Sequence, residues 1–308
     1  MKRRAKDYII IKYKQARKKK EDFLLFYGVF TVLLLILGAL LFSFLLFQAL
    51  IPSKTLKVTF YDVGQGDAIY IESGAKTKVL IDGGPSKVIV EKVGREISFL
   101  DKSIDFIAPS HGDKDHITGS IAVLERFPTK YVSAVHASTA TELDDEYGAK
   151  TRNIVSIRSV AGDTIDIGGG ALLTVILPKK AEVFSEKETN ESSSVLLLTY
   201  GEFSFLFTGD LPETRERELI DSGKLPRDLT VLKLGHHGSK YSTGKELLSY
   251  TKPKFVIVSS GKGNNYGHPS KEVLERVEKV KSKVLRTDDM GDIRFIVKKN
   301  SLTFDTEK

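Results

Sequence analysis

Between positions 111 and 116 the chain reads His111-Gly-Asp113-Lys-Asp115-His116, two imidazoles and two carboxylates in six residues. Each is a strong ligand for a divalent cation. In an extended segment alternate side chains point the same way, so His111, Asp113 and Asp115 can converge while His116 turns back at the next helix start. A solvated acidic loop with incidental histidines is the competing reading for any one of them. It loses weight because the four follow an apolar strand and the chain's other four histidines stand at or near further strand ends. The chemistry indicated is that of a metal centre. With no cysteine in the chain, thiolate ligands, disulfides and a cysteine nucleophile are excluded. No Gly-x-Ser-x-Gly elbow offers a serine nucleophile. Gly64-x-Gly66 lacks the third glycine and following helix of a dinucleotide loop, and 261–270 lacks the ending of a phosphate loop.

Such residues need a rigid scaffold. From Thr55 onward, short β-branched runs alternate with amphipathic stretches, which predicts an α/β sandwich. Strands are expected at 55–62, 68–72, 78–82, 104–110, 130–135, 171–177, 195–200, 204–208, 230–234, 255–259 and 294–297. Helices are expected at 86–100, 118–127, 212–222, 245–250 and 269–279, the last with Pro269 in its first helical position. Several strands end in polar, glycine-rich clusters: Asp62-Val-Gly-Gln-Gly-Asp67, Asp82-Gly-Gly84, Thr208-Gly-Asp210 and His236-His-Gly-Ser239. For the first of these a plain turn capped by aspartates is an equally good reading.

The net charge of +7 resides at one end. Residues 1–22 hold ten Lys or Arg against three acids, 10 − 3 = +7, so the remainder sums to zero and pI gives no argument for polyanion binding. Next, 23–51 runs without a charged side chain, long enough at ~1.5 Å per residue to cross a ~30 Å hydrocarbon core. No small-residue cleavage site precedes Pro52, so an uncleaved signal anchor is expected rather than a removed signal peptide. Basic residues stay on the cytoplasmic side. The expected organisation is a basic cytoplasmic segment at 1–22, a transmembrane anchor at 23–51 and an extracellular domain at 55–308.

In their order these motifs resemble the metallo-β-lactamase superfamily, whose hallmark is His-x-His-x-Asp-His. Within it they resemble the extracellular hydrolase domain of ComEC-type competence proteins, in which an aspartate fills the second ligand position as Asp113 does here. The 62–67 turn matches that group, as do Asn190 with Ser194-Val, Thr208-Gly-Asp210, His236-His-Gly-Ser239 and Tyr266-Gly-His268-Pro269. The resemblance spans roughly 55–300. It implies an αββα sandwich holding two divalent metal ions, zinc or manganese. His111 and Asp113 would hold one ion, Asp115 and His116 the other, with Asp210 bridging. One of His236 and His237 completes the second site; His237 is favoured because the ligand histidine of that family usually precedes glycine. Asn190 stands where many members have another histidine, which leaves the first site oxygen-rich and shifts preference from zinc toward manganese or magnesium, manganese being the serious rival to zinc. Asp82 would orient ligands from behind, and Asp62, Gln65 and Asp67 would do likewise or shape the pocket.

Two cations ~3.5–4 Å apart lower the pKa of a bridging water, so hydroxide is the nucleophile. Asp115 and His268 are the catalytic candidates, His268 as a donor to a phosphoryl oxygen or as the leaving group's acid. For His268 a structural turn residue is an equal reading. The resemblance implies a phosphodiesterase or nuclease acting on DNA. One membrane span stands here in place of the multi-helix channel of full competence proteins, and the neutral sum of the domain leaves room for a local basic groove, for example near Lys233, Lys240 and Lys262. The alternatives are a phosphoester hydrolase on cell-wall or lipid-linked substrates such as choline phosphoesters, and a non-catalytic metal-binding interaction module. Asp113 and Asn190 disfavour a true β-lactamase. Oligomeric state is left open.

Overall fold

The computed structural model describes residues 2–50, 54–98, 101–136 and 142–308. The chain divides into two units, 1–52 and 53–308. Among the described residues the first holds a single helix, α1 (Lys2–Leu50). Within its Lys12–Phe44 stretch an 18-residue window reaches a mean hydropathy of 2.7 with none of it buried, which fits a single-pass membrane anchor. The expected anchor ends at Ile51, which lies outside the described residues.

In the second unit the chain lays down β1 (Thr55–Phe60), β2 (Ile69–Glu72), β3 (Lys78–Ile81), β4 (Ile104–Ala108), β5 (Thr129–Ser133) and β6 (Val155–Ile157). It then crosses to a second sheet of β7 (Thr164–Asp166), β8 (Ala171–Leu177), β9 (Val195–Tyr200), β10 (Phe203–Phe207), β11 (Val231–Lys233), β12 (Phe255–Val258) and β13 (Lys283–Arg286). Finally β14 (Ile293–Lys298) and β15 (Ser301–Thr306) return to the first sheet, giving orders β15-β14-β1-β2-β3-β4-β5-β6 and β13-β12-β11-β10-β9-β8-β7. In each sheet the run from the middle to one edge is parallel, β3 to β6 and β10 to β13.

Strands buried on both faces read as continuous apolar runs, and the core shows why. One cluster fills the space between the sheets, where Phe60, Ile71, Val79 and Phe106 meet Leu173, Leu198, Phe205, Phe207 and Phe295. The outer face of the first sheet is covered by α2 (Val88–Glu96) and α3 (Lys114–Arg126), through Ile89, Val93 and Val123. The outer face of the second is covered by α5 (Glu213–Asp221), α6 (Lys245–Thr251) and α7 (Lys271–Lys279), through Leu219, Leu247, Leu248, Val273 and Val277. A further helix, α4 (Glu142–Thr151), packs Tyr147 against Ile117 and Ile121 of α3. The result is the expected αββα sandwich.

Several expected boundaries move. The helix expected at 86–100 spans only Val88–Glu96, and Phe99 and Leu100 lie outside the described residues. The helix expected from Thr118 begins at Lys114, so Asp115 and His116 sit in its first turn and Asp113 is its N-cap. Ser270, not Pro269, starts α7: its side chain accepts from Val273 N and places Pro269 one residue outside.

Candidate metal centre

Parallel strands leave their carboxyl ends on one side, and the site is built there. Asp82 follows β3, His111 follows β4, Asp210 follows β10, a turn at Gly235–Gly238 follows β11, and Ser259 follows β12. The turn after β11 is tight. His236 and His237 both have positive φ, as does Asp82, a conformation rare for side-chain-bearing residues and characteristic of functional sites. The 62–67 turn is pressed onto the start of α3. Asp67 N donates to Asp115 O at 3.2 Å, and a Cβ on Gly66 would lie 2.2 Å from that oxygen, so only glycine fits.

The imidazoles of His111, His116 and His237 form a buried row, with ring centroids 4.2 and 5.2 Å apart. His116 Nε2 is 3.3 Å from Asp210 Oδ1, and His237 Nε2 is 3.5 Å from Asp210 Oδ2 and 3.2 Å from Asp115 Oδ2. His111 Nε2 is 3.5 Å from Asp113 Oδ2. The Nε2 atoms of His111, His116 and His237, Oδ1 of Asp210 and Oδ1 of Asn190 are buried without a hydrogen-bond partner. Buried polar atoms are seldom orphaned, and five in one site call for a ligand. The opposite ring nitrogens are engaged: His116 Nδ1 lies 3.0 Å from Asp82 Oδ2, and His237 Nδ1 lies 3.0 Å from the Ser259 carbonyl. Those partners fix the tautomers that present Nε2 lone pairs to the centre. Ser110 in turn donates to both Asp82 oxygens, from N at 2.7 Å and Oγ at 2.8 Å.

Electrostatics agree. Burial would lower His116, but the charges of Asp210 and Asp82 raise it well above its usual value; in the same way Asp210 outweighs burial and lifts His237 to about 9. Burial would raise Asp115, but the hydrogen bond from His237 and the charge of His116 hold it well below the carboxylate range. Clustered carboxylates that draw protons onto adjacent imidazoles would equally draw a divalent cation. The donor set, imidazole nitrogen and carboxylate oxygen, suits zinc or manganese.

The structure brings together His111, Asp113, Asp115, His116, Asp210, His237 and, at the rim, His236, whose Nε2 is 3.6 Å from Asp210 Oδ2 and whose side chain is 35% exposed. Asp67 comes closer than expected: its carboxylate lies with His116, Asp210 and His237 in one buried group whose ligand atoms are all within 4.8 Å. Thr189 donates to Asp113 Oδ2 at 3.3 Å, which brings the loop of Asn190 to the first ligand pair. Asp62 is not part of the site. It accepts from Gly64 N within its own turn and pairs with Lys308. Lys233, expected in an exposed groove, is fully buried because β11 is a central strand; it forms ion pairs with Asp67 and Asp210 and donates to Gly209 O at 3.0 Å. Lys240 and Lys262 are exposed. The burial of Lys233 was legible in its setting, a lone cation in the apolar run Val231-Leu-Lys-Leu234.

Above the group opens a cleft of about 200 Å³ lined by Gln65, Asp113, Asp115, Asp210, His236, His237, Tyr266 and His268. His268 Nδ1 is buried and unpartnered, and burial with the neighbouring His236 lowers its pKa to about 4, so its ring is neutral near pH 7.

Comparison with known proteins adds three findings. A profile of the metallo-beta-lactamase superfamily matches residues 61–262. The chain is 31% identical to ComE operon protein 3 of Bacillus subtilis over 85% of this chain and 35% of that protein, and 32% identical to Recombination protein 2 of Haemophilus influenzae over 83% of this chain and 30% of that protein. It therefore spans about a third of the length of these relatives. Among solved structures, CmlA, a diiron β-hydroxylase from Streptomyces venezuelae, superposes with a TM-score of 0.50 at 13% identity, covering 79% of this chain and 54% of that one, a likeness of fold alone.

Proposed function

The chain belongs to the metallo-β-lactamase superfamily, and on that premise we propose that it is a membrane-anchored, metal-dependent phosphodiesterase acting on DNA outside the cell. The observation that carries the hydrolytic reading is the convergence of orphaned imidazole and carboxylate atoms beneath a small polar cleft. His111, Asp113 and Asn190 would hold one divalent ion, and Asp115, His116, Asp210 and His237 the other, with Asp67 within reach of the second. When bound, such a pair supplies hydroxide at neutral pH and positive charge beside the attacked phosphorus. The protein's own groups do the rest. Asp82 and Ser259 O lock the histidine tautomers, and Lys233 balances the carboxylates from behind. Neutral His268 donates a hydrogen bond into the cleft, where a non-bridging phosphoryl oxygen would lie.

The DNA assignment rests on relatives whose names tie them to recombination and competence, Recombination protein 2 and Competence protein ComA of Neisseria gonorrhoeae, the latter 28% identical over 80% of this chain and 33% of that protein. Residues 1–22 stay in the cytoplasm, 23–51 span the membrane and 55–308 form the external hydrolase domain. The test is Mn²⁺- and Zn²⁺-dependent cleavage of single- and double-stranded DNA by the full chain in detergent, beside an Asp115→Ala/His116→Ala control. Cleavage absent from the control supports the reading. Turnover confined to phosphorylcholine esters would move the substrate to the cell envelope, and metal binding without any phosphoester hydrolysis would leave a binding module.

A further inference from the structure

The cleft is too small for its substrate. Sites that enclose a drug-sized ligand run to roughly 300–1,000 Å³, so about 200 Å³ admits a phosphoryl group and leaves the attached nucleoside at the mouth. Tyr266 stands at that mouth. Its side chain is 71% exposed, an unusual condition for a large aromatic, and its ring stacks on His268 with centroids 5.8 Å apart and planes 24° apart. The other ring face is open.

Nor is the ring on a loose loop. Asn264 braces it with four hydrogen bonds: Oδ1 accepts from Tyr266 N at 3.1 Å and His268 N at 3.0 Å, while Nδ2 donates to Gly261 O and His268 O. Gly261 N donates to Gln65 Oε1 at 3.1 Å, tying the loop to the turn that packs against α3. A rigid aromatic held in solvent beside a metal cleft, with exposed Lys262 earlier on the same loop, is the architecture that stacks bases of unpaired nucleic acid.

We infer that Tyr266 is a nucleobase platform: the base adjoining the scissile phosphodiester of a single strand stacks on its open face while the phosphate enters the cleft. This rests on the phosphodiester reading of the site. A paired base is already covered on both faces by its neighbours, so the platform selects single strands and frayed ends.

The test uses the full chain in detergent with Mn²⁺, an adenine oligonucleotide and its abasic counterpart of equal length. In the wild type KM for the abasic strand is about 10-fold higher, the scale of one lost stacked base. In Tyr266→Ala the ratio falls to near 1, and in Tyr266→Phe, which keeps the ring, it stays near the wild-type value. An Ala variant with the wild-type ratio overturns the platform and leaves the hydrolase intact. If the wild type cleaves neither strand, the phosphodiester reading fails, and quenching of a 2-aminopurine oligonucleotide decides the platform alone. Quenching lost in Ala and kept in Phe supports it; no quenching, or quenching indifferent to Tyr266, overturns it.

Discussion

Two residues outside the ligand set carry much of what the site needs. Asp82 accepts from His116 Nδ1 and from Ser110, so Asp82→Asn would set an amide NH₂ against that nitrogen and push the imidazole proton to Nε2, the atom facing the centre. Metal affinity should fall about 10–100-fold with the fold intact, measured by competition with a fluorescent chelator; an unchanged affinity would remove Asp82 from this role. Lys233 is the internal counter-ion of Asp67 and Asp210. In Lys233→Met the metal-free protein should lose about 3–5 kcal/mol of stability to an uncompensated buried charge. Added Mn²⁺ or Zn²⁺ should recover part of it, because a cation then fills the same electrostatic role. Urea unfolding with and without metal checks this, and equal losses in both would show that Lys233 acts by packing alone. At this scale the sequence was most legible where ligand types crowd together, as at 111–116. It was least legible in the pairing of Asp67 with Lys233, which are 166 positions apart in the chain and meet only when β11 is laid into the second sheet.

Helices and turns aim these groups. The first turn of α3 carries Asp115 and His116 and is held against the loop after β3 by a glycine contact: a Cβ on Gly119 would lie 1.8 Å from Gly83 O. Gly119→Ala must separate the two, and a loss of about 1–3 kcal/mol is expected, with weakened metal binding as Asp82 and His116 part. Calorimetry and metal titration together check it; lost stability with full metal affinity would refute the coupling. On the second sheet, the buried Glu216 of α5 accepts from Thr243 N and Gly244 N, the start of α6, and so joins two helices. Burial outweighs these donors and pushes its pKa up to about 7. The folded state therefore binds a proton that the unfolded chain releases above about 4.5. That contribution is full below the unfolded value and is lost as pH rises through about 7. The stability of Glu216→Gln relative to wild type should improve from pH 5 to pH 8, on the order of 3 kcal/mol at most; a flat difference would refute it. Apolar periodicity marked most strands and helices. It could not mark the left-handed turn of His236 and His237, which follows from tertiary fit rather than pattern. It also missed α4, the edge strand β15 and the short β6, β7 and β13, whose exposed or brief runs leave little periodic signal.

At the scale of the whole molecule, the proposed orientation rests on the charge asymmetry between the basic end and the rest of the chain. Ten cations and three acids precede the apolar stretch, while the folded domain beyond it is neutral in sum. Basic residues beside a span are held on the cytoplasmic side, and anionic inner-leaflet lipids add about 1 kcal/mol per nearby cation. In the proposed orientation the cleft with Tyr266 would face nucleic acid or envelope phosphoesters arriving from outside. The chain contains no cysteine, so a single introduced thiol reports its own location without background. Glu202, exposed in the turn between β9 and β10, and Lys14, exposed on α1, are suitable positions. In intact cells a membrane-impermeant maleimide should label Glu202→Cys fully and Lys14→Cys not at all, with both labelled after lysis. The inverse pattern would place the hydrolase domain in the cytoplasm. Extracellular DNA could not then be its substrate, even if the purified protein cleaves DNA.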